Sequence, residues 1–171
     1  MKKNIIKIGP AGRDFHNFNT YYRDNENYNV VAFTAAQIPD IDNRKYPYEL
    51  AGKLYKGGIP IYSQDKLEEL IKEYNVDECV FSYSDIKYKD LMNISAIVNE
   101  AGADFKLLAP NKTMIKSNKP VISVCAVRTG CGKSQTSRKV IEILMEKGLK
   151  VVAIRHPMPY GDLAIQAVQR F

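Results

Sequence analysis

A lysine and a serine standing directly behind two glycines, Gly130-Cys131-Gly132-Lys133-Ser134, are the residues here whose types and spacing best suit a chemistry. Small residues let a backbone wrap an anion, and the first N–H groups of a helix are unpaired and carry a partial positive charge. In such a turn Lys133 would reach the terminal phosphates of a nucleotide and neutralise developing charge. The Ser134 hydroxyl would ligate Mg²⁺. The backbone from Thr129 to Lys133 would hold the phosphates, with Gln135 or Thr136 touching the α-phosphate. The reading that requires no ligand is a chance glycine-rich turn ahead of a helix.

A phosphate loop needs a strand before it and a helix after it. Val121 to Val127 is an apolar, β-branched run after Pro120, which predicts a buried strand. A helical pattern continues from Thr136 to Lys147, with Gly148 as its C′ residue. Lys150 to Arg155 reads as a second strand, a polar turn follows, and a last helical pattern starts near Asp162. Arg155, His156 and Asp162 would then lie beyond a strand's carboxyl end, on the same edge as the loop. Asp162 reads either as a group orienting a metal-bound water or as a helix N-cap. His156 reads either as a structural histidine or as a substrate contact.

Upstream, strands alternate with helices. Asn4 to Ile8 reads as a strand, Asp14 to Tyr22 as a helix and Asn27 to Phe33 as a second strand. Gly9-Pro10-Ala11-Gly12 lies at the first turn. That is the opening of a dinucleotide-type unit with only two glycines and no acidic residue at the tip of the second strand. Gly9 and Gly12 are either an anion site or a tight turn without a ligand. Residues 36–58 are polar and rich in Pro, Tyr and Asp, a long loop with a short helix near Tyr48 to Lys53. A loop this long suggests a cover over a site or partner. Ile59–Tyr62, Val76–Tyr83 and Phe105–Leu108 read as further strands. Gln64–Tyr74 and Tyr88–Glu100 read as helices between them, the second ended by Gly102. The alternation predicts a largely parallel, twisted sheet covered on both faces. The composition of residues 109–120 is that of a linker. The fold expected is therefore α/β: a Rossmann-like domain over residues 1–115, then the start of a P-loop NTPase domain over 116–171. About fifty residues cannot complete the sheet of such a domain, so it reads as incomplete, or as a tail packed on the first sheet or a second copy.

Composition narrows the function classes. The 171 residues are 45% hydrophobic, ample for a core. No apolar run has the length of a membrane span. Cys79, Cys125 and Cys131 share no metal-ligand spacing and read as reduced thiols of a cytoplasmic protein. From Lys119 onward nine Lys or Arg face three Asp or Glu, so the whole net charge of +6 lies with the glycine-rich loop. A positive field suits a polyanion such as a nucleotide or phosphorylated metabolite. No basic helix or aromatic-basic motif supports nucleic acid.

In a second register, Arg128-Thr129-Gly130-Cys131-Gly132-Lys133-Ser134 resembles the deviant K-G-G-x-G-K-[ST] loop of the MinD-like and dethiobiotin-synthetase-like NTPases, with Arg128 in the place of their extra lysine. The resemblance implies contact between Arg128 and the nucleotide of a partner subunit. More broadly, Gly9–Asn19, Val30–Pro39, Tyr46–Pro60, A-G-A-D-F-K-L-L-A-P from Ala101, A-V-R-T-G-C-G-K-S-Q-T-S-R from Ala126 and R-H-P-M-P-Y-G-D-L from Arg155 resemble the N-terminal part of the cyclic 2,3-diphosphoglycerate synthetase-like proteins. That resemblance implies ATP or GTP with Mg²⁺, a small phosphorylated substrate, and catalysis by Lys133, Arg128 and Asp162. Two other readings stand beside it. In one, the first domain is a Rossmann-like binding module for a small ligand or nucleotide. In the other, it serves only to form a homodimer.

Overall fold

The computed structural model describes residues 1–9, 12–36, 44–83, 85–126, 130–154 and 164–165. They fall in two compact units, one containing Met1–Met114 and the other formed by Ile115–Arg155.

The first unit is an α/β domain around a mixed six-stranded sheet. Strand β1 (Lys3–Ile8) runs through Gly9 and Gly12 into α1 (Arg13–Asn17), which tightens into a π-helical turn (Phe18–Tyr22). Then come β2 (Tyr28–Ala35), the two-residue β3 (Lys45–Tyr46), α2 (Tyr48–Ala51) and β4 (Ile59–Ser63). A 3₁₀ turn leads into α3 (Leu67–Glu73), followed by β5 (Glu78–Phe81), α4 (Tyr88–Glu100) and β6 (Asp104–Leu107). The strand order is β3-β4-β2-β1-β5-β6, parallel throughout except where β3 joins β4.

The alternation of β1 builds both layers. Ile5 faces the aromatic layer of α1 and α2, made with Phe15, Phe18, Phe33, Tyr46 and Tyr55. Ile6 and Ile8 face the opposite layer, filled by Leu67, Leu70 and Ile71 of α3 and Val98 of α4. Period-two strands between amphipathic helices leave no other way to bury both faces. The rings meet edge to face, Phe15 on Phe33 at 5.0 Å and Phe18 on Tyr55 at 5.2 Å.

In the described part of the 36–58 stretch the short helix expected near Tyr48 is present as α2, but the rest differs from the loop expected. Two of its three tyrosines are structural, while Tyr48 is exposed. Tyr46 and Tyr55 are buried, the Tyr46 hydroxyl donates to Asn19 Oδ1 at 3.0 Å, and the Tyr55 hydroxyl accepts the Val30 N–H at 3.1 Å. A polar-looking segment thus supplies aromatic core and an antiparallel edge strand.

The second unit departs further from expectation. Helix α5 (Lys133–Glu146) forms after Gly132, whose φ of +84° is the left-handed conformation glycine tolerates. The expected strands on either side do not form. Described residues 121–126 and 150–154 belong to no strand, and Val121, Ile122, Val152 and Ile154 are exposed. A strand requires a neighbour for its N–H and C=O groups. Among the described residues of this unit there is none, and α5 buries no residue. A P-loop domain is therefore not shown among the described residues.

Candidate functional site

In an open parallel sheet, ligands bind beyond the carboxyl ends of the strands where the order reverses. Here that place lies between β1 and β5. From β1 the chain turns into α1 on the aromatic face; from β5 it leads to α4, whose Val98 lies in the opposite layer. The two connections leave the sheet on opposite faces, which makes this its topological switch point.

The rim is well tied. The Gly9 N–H donates to the Thr34 carbonyl at 3.1 Å and the Ser82 N–H to the Ile8 carbonyl at 2.9 Å. Asn17 Nδ2 of α1 donates to Ser82 Oγ at 3.1 Å and clamps the helix to the end of β5. Thr113 Oγ1 accepts from Arg13 Nη2 at 3.0 Å, and its carbonyl accepts from His16 Nε2 at 2.7 Å. Two buried polar atoms near this rim, Thr34 Oγ1 and Asn17 Oδ1, lack a hydrogen-bond partner. Native interiors seldom leave such groups unpaired.

Below the rim lie two buried charges. Asp14 is 2% exposed, and its Oδ1 accepts the Gly12 N–H at 2.5 Å. Burial raises its pKa, opposed by hydrogen bonds from the Gly12, Phe15 and Asp14 N–H groups and by Lys7. Lys7, on the central strand, is fully buried. Its Nζ has no hydrogen-bond partner and sits 4.8 Å from the centre of the Tyr22 ring. Burial pulls its pKa down to about 7 against the attraction of Asp14, and Lys106 adds to the fall. Further along the same face, Glu78 accepts from Lys3 at 2.6 Å and from Lys106 at 2.8 Å. A shallow groove lined by Ile71, Asn75 and Gly102 lies at the opposite, amino edge.

Of the residues expected from sequence to form a site, the structure describes part. Gly9 and Gly12 lie at the β1–α1 turn. Cys131, Lys133, Ser134, Gln135 and Thr136 are exposed at the start of α5, behind Gly130 and Gly132, both with positive φ. Arg128, Thr129, Arg155, His156 and Asp162 lie outside the described residues. No group of His, Cys, Asp or Glu that could hold a metal ion occurs among those described. No described helix is long and apolar enough to cross a membrane. Lys7, Asn17 and Ser82 drew no attention in the sequence. A lysine inside the strand K-N-I-I-K-I, on the side of Ile5, was the signal available for the first of them.

No family model matches the chain. A curated relative, "Arginine synthetase ArcE" of Thermococcus kodakarensis, is 62% identical over 170 residues, which cover 99% of this chain and 38% of the relative. The chain thus spans well under half the length of the relative it matches. Among solved structures, a Rex-family repressor, RSP, aligns over 86% of this chain and 63% of its own at 15% identity and a TM-score of 0.46. RSP in complex with β-NADH gives 16% identity, 87% and 65% coverage and a TM-score of 0.44. UDP-D-quinovosamine 4-dehydrogenase from Vibrio fischeri gives 19%, 64% and 80%, with a TM-score of 0.45. At such scores these likenesses carry no argument about ligands.

These findings correct the resemblance drawn from sequence. The chain's 62% match bears the name arginine synthetase, not cyclic 2,3-diphosphoglycerate synthetase. The P-loop NTPase reading and its ATP or GTP with Mg²⁺ fall with it. A Walker-type loop works because a paired strand fixes its entry and a buried helix its exit. Neither the residues before Gly130 nor α5 meets that condition among the described residues.

Proposed function

We propose that the chain is the ligand-binding, Rossmann-like part of an arginine-forming synthetase, and that the edge between β1 and β5 receives a small polar ligand of that reaction. The observation that carries the reading is the divergence of the chain after β1 and β5, with glycines at one lip and Ser82 at the other. The unpartnered Thr34 Oγ1 and Asn17 Oδ1 supply polar groups beside it. Identity of 62% to a relative named for arginine synthesis supplies the ligand class.

The test is thermal unfolding of the chain with increasing arginine, NADH or AMP, for wild type and Gly12→Ala. A Cβ at Gly12 would meet nothing within 4 Å, so the variant should melt close to wild type without ligand. A saturable rise in melting temperature for wild type that Gly12→Ala weakens at least several-fold supports the site. No shift of wild type with any of these ligands up to millimolar concentration removes it.

A further inference from the structure

The two edges of the sheet are built differently. At one end β3 is two residues long, pairs antiparallel with β4 and runs straight into Pro47. Short edges and prolines discourage further strand pairing. At the other end β6 pairs with β5 along its whole length, and nothing among the described residues pairs with its outer side. It carries neither proline nor bulge. The Asp104 N–H donates to the Asp77 carbonyl at 2.9 Å, so the backbone groups of Asp104 and Lys106 point into the sheet. By the alternation of a strand, those of Phe105 and Leu107 point outward. Helix α4 packs against this strand, buries only Val98 and leaves Tyr88, Met92 and Ile97 exposed. Leu107 is exposed on the strand itself.

We infer that β6 is a self-pairing edge: two copies of the chain join antiparallel through Asp104–Leu107, about a two-fold axis at Phe105, in one sheet continuous through both. The strand is its own complement in charge. In that register Asp104 stands opposite Lys106 of the second copy, and Lys106 opposite its Asp104. Opposite charges across a pair of strands stabilise it, and like charges destabilise it. Asp104 is exposed, and the Lys106 ammonium, held by Glu78 at 2.8 Å, keeps donors for a second carboxylate. Phe105 meets Phe105 of the second copy, and the two exchange both outward hydrogen bonds. Moving the axis to Lys106 would set that lysine against itself, so charge selects the register. Residues 1–118 hold sixteen basic and sixteen acidic side chains, so no net repulsion keeps two such units apart. A four-residue ladder alone falls short of the roughly 1,200 Å² that a stable dimer buries, and the exposed apolar residues of α4 supply the remainder.

The experiment is sedimentation equilibrium of the 171-residue chain over a range of concentrations, for wild type, Asp104→Lys and Leu107→Pro. Far-UV circular dichroism establishes that each variant folds. Wild type should show a monomer–dimer equilibrium that goes no further. Asp104→Lys turns both cross-strand pairs into like charges and should raise the dissociation constant at least about tenfold at low salt, less at high salt. Leu107→Pro removes an outward N–H that β5 does not use, so it should fold and dimerise more weakly. Amide hydrogen exchange at Phe105 and Leu107 should slow as the dimer forms. A wild type that stays monomeric to millimolar concentration overturns the inference, and slow exchange at those two amides in the monomer would assign the edge to another part of the same chain. A dimer that Asp104→Lys leaves as tight as wild type also overturns it, because the contact would then lie elsewhere. So do oligomers that grow without limit, since an isologous contact closes at two. Should Leu107→Pro not fold, the exposed Asp104→Lys decides.

Discussion

Replacing Lys7 by methionine should make the protein more stable, and by an amount that depends on pH in a defined direction. Lys7 is fully buried on the central strand, with no acceptor for its ammonium and only the Tyr22 ring and the more distant Asp14 to offset desolvation. Its pKa falls from the ordinary 10.5 to about 7 in the folded chain. Below pH 7 both folded and unfolded chains hold the proton, and the native state bears the whole cost of the buried charge. Between pH 7 and 10.5 the unfolded chain binds the proton and the native one does not, so stability rises with pH. Above 10.5 both are neutral and the cost is gone. At about 1.36 kcal/mol per pH unit this bounds the cost at about 5 kcal/mol. Exchanges of buried charges for apolar side chains of similar volume recover about 1–4 kcal/mol. Methionine keeps the unbranched stem and fills the same space. Asp14 loses a favourable neighbour but keeps the Gly12 N–H as a donor. Lys7→Met should therefore exceed wild type by about 1–4 kcal/mol at pH 6, with the gap closing towards pH 10. Urea unfolding followed by far-UV circular dichroism at unit steps of pH measures it. A gap that stays constant from pH 6 to 10, or a variant less stable at every pH, refutes the reasoning.

Glu78 presents the opposite sign. Burial works to raise its pKa, but hydrogen bonds from Lys106 and Lys3 prevail and hold it below the usual carboxylate range. Glu78→Gln should cost about 1–3 kcal/mol near neutral pH. That advantage of wild type is present above the ordinary value of 4.5 and should vanish as pH falls through the lowered one, so acid titration of both proteins checks it. Gly58→Ala should destabilise by about 1–3 kcal/mol, since φ is +71° and a Cβ would stand 2.6 Å from the Tyr46 carbonyl oxygen. Equal denaturation midpoints would contradict that. With a thiol reagent at pH 8, the exposed Cys125 and Cys131 should label in the folded state. Buried Cys79, whose thiol burial pushes up to about 12, should label only on unfolding. Mass spectrometry of the labelled peptides distinguishes the three.

Much of the first unit could be read from residues alone, for a physical reason. Where one stretch carries its own signal, as in Leu91, Ile94 and Val98 at helical spacing with Gly102 behind them, the element follows: α4 spans Tyr88–Glu100 as expected, and Gly102 has φ +98°. Parallel β1, β2, β4, β5 and β6 follow likewise from short apolar runs between helices. What could not be read is long-range. Tyr46 and Tyr55 lie in a stretch whose composition is that of a surface loop, and only tertiary contacts with Phe15 and Phe18 make them core. Lys7 looks like an ordinary solvated lysine until α1 is laid over it. Val121 to Ala126 has every local mark of a strand, yet a strand exists only through its neighbour, and apolar residues do not provide one.

The two glycine turns of this chain show why a short string is weak evidence for a phosphate site. Gly130 to Ser134 has the residues of such a loop and a helix behind it, but no strand holds its entry among the described residues, and the helix buries nothing. Gly9 to Gly12 has the scaffold the other lacks, with a central parallel strand before it and a clamped helix after it. There Asp14 packs against Gly9 and takes the Gly12 N–H. A phosphate seat requires small residues, a rigid frame and unspent N–H groups in one place. The sequence string attests only the first, the topology only the second. The third depends on the tertiary setting: at Gly12 the N–H is already spent on the Asp14 carboxylate, which no string of residue types would reveal.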